Sequence, residues 1–174
     1  MKALKRIGAL AMVLALVLAL GVTALAADPI ATGTDLTTAD FTVTYTPEDG
    51  VGVAAKTFSY TVAASNSNIG GTPIVYEGVG SMTVTSVAFV ANDTSTSKTA
   101  TITLPTGGTA TFSHAGIYRY TITQAALTAD EVNAGILTEK QTGDAVVKYL
   151  DLFVDKDGKI VTVVMTDNAE TLSG

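Results

Sequence analysis

The stretch Gly116–Gln124, GIYRYTITQ, alternates between apolar and polar side chains and decides the fold class. One side of the extended chain carries aromatic and aliphatic residues, namely Tyr118, Tyr120 and Ile122. The other side carries Arg119, Thr121 and Thr123. A period of two predicts a half-buried β-strand. By the same alternation Gln124 points toward the apolar side, so the strand ends on an inward-facing amide.

Short runs rich in Thr, Val, Tyr and Phe recur along the chain, separated by clusters of Gly, Asn, Pro and Asp. The predicted strands are 41–46, 57–63, 81–90, 99–104, 109–113, 118–124, 146–155 and 159–166. Asp155–Gly158 predicts a hairpin turn, because Asp and Gly tolerate positive φ. Thr128–Glu131 is a capping-box pattern and predicts at most one short helix near 128–134. Together these patterns predict an all-β fold, an immunoglobulin-like β-sandwich of seven to eight mostly antiparallel strands.

The N-terminus has the pattern of a secretory signal peptide. Three basic residues precede the apolar run Ile7–Leu20, and Ala24-Leu25-Ala26 is a small-x-small exit site. An uncleaved membrane anchor is the alternative, since Ile7–Ala26 is just long enough to span a bilayer. The small exit residues favour cleavage after Ala26 and an extracellular or cell-surface location. The predicted organisation is a signal peptide (1–26), a polar leader (27–40) and a β-sandwich domain (41–174) that is not embedded in the membrane.

The charge balance excludes two classes of partner. Loss of residues 1–26 leaves seven basic residues against sixteen acidic ones, a formal net charge of −9. Nucleic acid and anionic membrane surfaces repel such a chain, so we expect it to bind neither. The sequence has no cysteine, so the stability of an exported domain must come from something other than disulfides.

The residues that usually carry catalysis are scarce. The one histidine, His114, lies at a strand entry, where a surface or turn position is the ordinary interpretation. Asp155 and Asp157 lack the further acidic ligands of a calcium loop. The sequence therefore predicts that the chain is not an enzyme and has no catalytic residue, no cofactor and no metal site.

The segment Thr111–Gln124, TFSHAGIYRYTITQ, resembles the signature of the streptococcal pilin isopeptide linkage domain, Phe-x-x-x-Gly-x-Tyr-x-Tyr-x-Ile-x-Glu. The matching residues are Phe112, Gly116, Tyr118, Tyr120 and Ile122. Val146–Val164 resembles the next hairpin of that family, and Phe41–Thr46 with Lys56–Val62 resembles its opening strand pair. The resemblance implies an extracellular β-sandwich module of Gram-positive pili and surface proteins, with other surface or pilus subunits as partners.

Many members of that family join a lysine on the first strand to an asparagine on the last, beside a buried glutamate. The reaction needs a neutral amine and a protonated carboxyl group that polarises the amide. The resemblance places Tyr45 at the lysine position, Gln124 at the glutamate position and Asn168 nearest the asparagine position. By alternation, Tyr45 faces inward with Phe41 and Val43. A glutamine cannot exchange the proton, so we predict that the triad is inactive. Lys148 alternates with apolar residues and could face inward, so an unusual cross-link through this lysine stays an alternative. A lysine at a strand end, however, usually extends its ammonium to solvent.

These observations predict a secreted or cell-surface structural module, resembling a pilin or adhesin stalk domain without an intramolecular isopeptide bond. The alternative is a surface binding module that recognises a carbohydrate or host protein through loops at one end of the sandwich. Exposed aromatic residues in loops would favour that alternative. The sequence has no tryptophan, and its tyrosines and phenylalanines lie mostly in predicted strands, which favours the structural module.

Overall fold

The computed structural model describes residues 30, 32–45, 54–67, 74–133 and 144–167. In these ranges the chain forms ten strands and one short helix, which confirms the predicted all-β class. The strands are β1 (Thr38–Thr44), β2 (Lys56–Phe58), β3 (Tyr60–Ala64), β4 (Val75–Glu77), β5 (Thr83–Val84), β6 (Val87–Phe89), β7 (Ser97–Thr103), β8 (Gly116–Gln124), β9 (Val146–Val154) and β10 (Ile160–Thr166). The helix α1 (Ala129–Asn133) lies between β8 and β9.

The strands form three sheets in a sandwich-like arrangement. The largest sheet has the order β10-β9-β8-β3, with β4 also paired to β8. A three-stranded sheet has the order β1-β7-β5, and β2 pairs with β6. All pairs are antiparallel except β4 with β8, in agreement with the predicted mostly antiparallel topology.

The main core lies between the large sheet and the three-stranded sheet. The apolar faces of β8 and β9 meet Ile102 of β7 and Leu104 just after it. The buried residues of this core are Ile102, Leu104, Phe112, Tyr118, Tyr120, Ile122, Leu150, Leu152, Val154 and Ile160. Burial of an aliphatic or aromatic side chain contributes about 1.5–3 kcal/mol, so this face of β8 and β9 holds the sandwich together.

A second apolar cluster lies where β2 and β6 meet β1 and β7. Its buried members are Val43, Phe58, Val87, Phe89, Ala100 and Leu127. Phe41 and Tyr60 pack against both clusters, so the two form a continuous interior. The inward face predicted for Phe41, Val43 and Tyr45 is confirmed, because all three belong to this cluster or pack on it.

Several strand boundaries differ from the prediction. The chain breaks at Ser59 and passes from β2, in the small sheet, to β3, in the large one, so the predicted strand 57–63 is two strands. The predicted strand 81–90 is likewise divided between β5 and β6. The predicted strand 109–113 is wrong: the N–H groups of Thr111 and Phe112 both donate to the carbonyl of Gly108, which closes a tight turn.

Part of the predicted polar leader is built into the fold. Thr38–Asp40 belong to β1. The N–H of Leu36 donates to the carbonyl of Ile160, and the carbonyl of Thr37 accepts from the N–H of Leu104. The segment therefore bridges the large sheet and the three-stranded sheet. The segment is mostly polar, but its Leu36 packs against the main core.

The predicted helix start and hairpin turn are both confirmed. The side chain of Glu131 accepts from the N–H of Thr128, and the hydroxyl of Thr128 accepts from the N–H of Glu131, as in a capping box. Between β9 and β10, Gly158 has a φ of 75°. Asp155 is buried at the start of this turn and accepts from the N–H groups of Asp157 and Lys159, both at 2.9 Å.

Candidate functional site

Tyr45 lies just after the end of β1 and is held in an aromatic cluster. Its ring packs edge-on against Phe58 at 5.9 Å and against Phe89 at 5.5 Å between centroids. Phe58 and Phe89 also meet edge-on at 5.9 Å. The N–H of Tyr45 donates to the carbonyl of Thr96 at 2.8 Å. The position that the family resemblance equates with a reactive lysine is therefore filled by a packed ring, and we call these three residues the aromatic cluster.

Two lysines border the aromatic cluster, and each is held by a carboxylate. Lys56 Nζ lies 5.6 Å from the centre of the Phe58 ring and 2.5 Å from Glu131 Oε1. Lys98 Nζ lies 5.0 Å from the centre of the Phe89 ring and 2.5 Å from Asp93 Oδ2. Each ammonium group is thus held between a carboxylate and an aromatic face.

The carboxyl group nearest to Lys56 is also in the wrong protonation state for the family reaction. The hydrogen bond from Lys56 and that from the N–H of Thr128 lower the pKa of Glu131 to about 2. Glu131 is ionised at neutral pH, so it cannot supply the proton that activates an amide carbonyl. Glu131 therefore caps α1 and holds the ammonium group of Lys56.

Gln124 ends β8 and is half-buried, as are Thr121 and Thr123 on the other side of the strand. It lies opposite Tyr60 of β3 and Val146 of β9. The ring of Tyr60 in turn packs edge-on against Phe41, with centroids 5.2 Å apart. Phe41 is four residues before Tyr45 in the chain, about 13 Å of extended backbone.

The structure describes Lys148, for which an unusual cross-link is left open, but not Asn168, the residue nearest the asparagine position. Asn168 lies outside the described residues. Lys148 is opposite Ile122 on β8, and its ammonium donates to Asp167 Oδ1 at 2.8 Å. The side chain of Asp167 is 78% exposed, so Lys148 ends in an ion pair at the rim of the sheet. A charged amine in that setting is unsuited to nucleophilic attack.

His114 lies in the exposed turn before β8, as predicted. Its ring stacks on Tyr76, with centroids 5.4 Å apart, and Nδ1 is 2.8 Å from the hydroxyl oxygen of Ser113. The backbone of His114 is tied to the hydroxyl of Tyr118, which donates to its carbonyl and accepts from its N–H. These contacts fix the entry to β8. Within the described ranges, no group of three or more His, Cys, Asp or Glu residues is arranged to hold a metal ion.

The alternation of β8 correctly assigns its two faces, but the half-buried interpretation is wrong for its first part. Arg119 is completely buried, although it lies on the side opposite to the tyrosines. Its Nε and Nη2 donate to Asp151 Oδ1 and Oδ2 of β9 at 2.7 and 2.6 Å. Asp151 holds the guanidinium by these hydrogen bonds and raises the pKa of Arg119. The second face of the sheet is therefore covered as well.

This ion pair is the polar feature that sequence reasoning missed. Arg119 and Asp151 each stand among residues of alternating character, and nothing in the sequence states that β8 and β9 pair in this register. Once the register is known, the two residues are direct cross-strand neighbours. The guanidinium also donates to the carbonyl of Ser67 and lies 5.9 Å from the centre of the Tyr149 ring. The sequence offers a single clue to this pair: a basic residue, Arg119, and an acidic residue, Asp151, lie on two strongly predicted strands.

Comparison of the chain with protein-family models, with curated proteins and with solved structures finds no match. In the part of the chain that the structure describes, no helix has the length and apolar character needed to cross a bilayer.

Proposed function

We propose that this chain is a secreted or cell-surface structural module, of the kind found in Gram-positive pilin and adhesin stalks, without an intramolecular isopeptide bond. The observation that carries the proposal is the aromatic cluster. Tyr45 packs against Phe58 and Phe89 where the resembled family has its reactive lysine. An aromatic ring at that position contributes packing energy and provides no nucleophile.

The charged groups around the site support the same role. The ammonium groups of Lys56, Lys98 and Lys148 are all paired with carboxylates. These side chains join elements distant in sequence, such as β2 to α1, and so they serve the architecture of the sandwich.

Two side-chain contacts tie the central strand β8 to neighbouring segments. In this chain the bidentate pair of Arg119 and Asp151 joins β8 to β9. Tyr120 joins β8 to the segment after β4, because its hydroxyl donates to the carbonyl of Val79 and accepts from the N–H of the same residue. We propose that such contacts take the place of the covalent link, and that other surface or pilus subunits are the partners.

Secretion and display are tested by expressing the full chain in a Gram-positive host. We expect the mature protein outside the membrane, accessible to added protease on whole cells, with an N-terminus that begins at Ala27. A matched variant with Leu14→Arg and Leu16→Arg, which charges the apolar run, should accumulate unprocessed inside the cell. Retention of the unaltered chain in the cytoplasm at full length would contradict the proposal.

A further inference from the structure

The first and the last of the described strands begin at the same end of the sandwich. The carbonyl of Ile160, the first residue of β10, accepts from the N–H of Leu36, two residues before β1, at 2.8 Å. The N–H of Ile160 donates to Asp35 Oδ1 at 2.9 Å. In the large sheet Ile160 lies opposite Val154 of β9. The entry to β1 is therefore tied to the Val154 end of the large sheet.

Strand β1 then runs toward the opposite end of the sandwich. Its Phe41 ring meets the ring of Tyr60, with centroids 5.2 Å apart. Tyr60 lies in the same row of the large sheet as Gln124 and Val146. Val146 and Val154 are the two ends of β9, about 26 Å apart along the strand. Strand β1 therefore runs from the Val154 end of the large sheet toward the Val146 end.

Strand β10 runs in the same direction as β1. It begins at Ile160, opposite Val154, and ends at Thr166, opposite Tyr149. A force that enters the domain before β1 and leaves it after β10 is therefore parallel to the strands. Among the described strands, β1 pairs with β7 alone, in an uninterrupted register over Thr38–Thr44. Such a force loads all these residue pairs at once, in shear, instead of opening them one after another.

The segment before β1 also packs against β10, which gives the force a short path between the two strands. Gly33 approaches Val161 so closely that a Cβ on Gly33 would lie 3.1 Å from Cγ1 of Val161. A few residues further along, Asp35 and Leu36 make the two hydrogen bonds to the backbone of Ile160. We call Asp35, Leu36 and Ile160 the clamp, because they join the entry of β1 to the start of β10.

We propose that this domain bears tension along its strands, and that the clamp passes the load from the entry of β1 directly to β10. Shear between whole strands resists a force better than peeling, because the hydrogen bonds of the strand pair must fail together. The inference rests on the proposed stalk role, since a domain is pulled only when it is held at both ends. Its test applies force to the purified chain, so its outcome is separate from that of the secretion test.

Single-molecule force spectroscopy tests the direction of loading, with handles attached through engineered cysteines, because the sequence contains none. In the purified full chain, Thr32→Cys with Gly174→Cys applies tension along the strands. Thr32→Cys with Thr106→Cys moves the second handle to an exposed residue just after β7, so that β1 is peeled from β7. At the same loading rate we expect the peeling geometry to unfold at less than about half the force of the lengthwise geometry. Equal forces, or a higher force on peeling, would overturn the proposal.

Two substitutions test the clamp in the lengthwise geometry. Asp35→Ala removes the acceptor for the N–H of Ile160, and we expect it to raise the rate of unfolding at constant force about fivefold. The control Tyr120→Phe removes two hydrogen bonds to Val79, away from the path of the load, and should raise that rate less than about twofold.

Urea denaturation of the same variants separates mechanical from thermodynamic effects. We expect Tyr120→Phe to cost at least as much equilibrium stability as Asp35→Ala, although it has the smaller effect under force. An unchanged unfolding rate for Asp35→Ala, or rates that simply follow the loss of equilibrium stability in both variants, would overturn the role of the clamp. If Asp35→Ala lacks the circular dichroism of a β protein, the comparison of the two pulling geometries decides alone.

Discussion

Arg119 and Asp151 lie directly opposite each other on β8 and β9 and form a bidentate ion pair inside the protein. Their side chains are 0% and 2% exposed. Such a pair has already lost its hydration, so its stability depends on the completeness of its hydrogen bonds. The guanidinium makes a further hydrogen bond to the carbonyl of Ser67, which also ties the loop after β3 to the sheet.

Removal of one member of this pair should be far more costly than removal of both. Asp151→Ala leaves a desolvated guanidinium, and we expect it to lower the free energy of unfolding by about 3–5 kcal/mol. The double variant Arg119→Met with Asp151→Leu should lose much less than the sum of the single changes. Urea denaturation measures both. A loss below about 1 kcal/mol for Asp151→Ala, the size of an exposed pair, would contradict the burial of this contact.

The hydroxyl of Tyr120 is predicted to be necessary for the segment after β4. It donates to the carbonyl of Val79 at 2.6 Å and accepts from its N–H at 3.0 Å. Tyr120→Phe should cost about 1–3 kcal/mol, because both groups of Val79 lose a partner. The control Tyr76→Phe removes a hydroxyl from a neighbouring ring without touching Val79 and should cost less. Equal losses in thermal denaturation would show that the Val79 contact is unimportant.

Tyr120 also predicts a response to alkali. Burial raises the pKa of Tyr120 from 10.0 to about 12, although the hydrogen bond to Val79 opposes the rise. The unfolded chain therefore releases this proton at a lower pH than the folded one, and stability falls as the pH rises from about 10 to about 12. Tyr120→Phe should flatten this part of the stability curve. An unchanged curve would contradict the assignment.

The contact of Glu131 with Lys56 predicts a response to acid. The pKa of Glu131 is lowered from 4.5 to about 2, chiefly by the hydrogen bond from Lys56. Its contribution to stability is complete above about pH 4.5 and is lost as the pH falls toward 2. Glu131→Gln should be less stable than the unaltered chain at pH 7 and should lose less on acidification to pH 2.5. The adjacent change Asp130→Asn serves as the control, and an identical effect of both would refute the specific role of Glu131.

The turn between β9 and β10 should tolerate change at Asp157 but not at Gly158. Gly158 has a φ of 75°, and a Cβ at this position would collide with the backbone of Gly108 and Thr109. The carbonyl of Gly158 also accepts from the N–H of Gly108 at 2.7 Å. Gly158→Ala should lower the free energy of unfolding by more than 1 kcal/mol, roughly the cost of the left-handed backbone alone. Asp157→Ala, at an exposed position in the same turn, should change it by about 0.5 kcal/mol or less. Equal effects of the two changes would contradict the packing of the turn against Gly108.

Local patterns in the sequence were sufficient for the class of fold and for its best-formed elements. The alternation of Gly116–Gln124 correctly gave the inward face of β8, and the capping box at Thr128 and Glu131 correctly marked the start of α1. These features depend on neighbours within a few residues. Strand β4 was missed because it has three residues and takes its place from its parallel pairing with β8.

The buried polar contacts depend on register, which a single sequence does not state. Arg119 and Asp151 are 32 residues apart, and Tyr120 and Val79 are 41 residues apart. The bridge formed by Leu36 and Thr37 was hidden in a segment whose composition is that of a leader. For the candidate site, alternation correctly predicted that Tyr45 faces inward. The sequence gave no sign that the lysines near the aromatic cluster are held by Glu131 and Asp93.

The most direct test of the account is the intact mass of the folded mature protein, measured by electrospray ionisation. With Tyr45 in the aromatic cluster and the nearby lysines ion-paired, we predict the mass that the sequence requires, with no deficit. Condensation of a lysine with an asparagine would remove ammonia and lower the mass by about 17 Da. Such a loss, mapped to a cross-linked peptide after digestion, would contradict the central claim that this module holds its fold without an isopeptide bond.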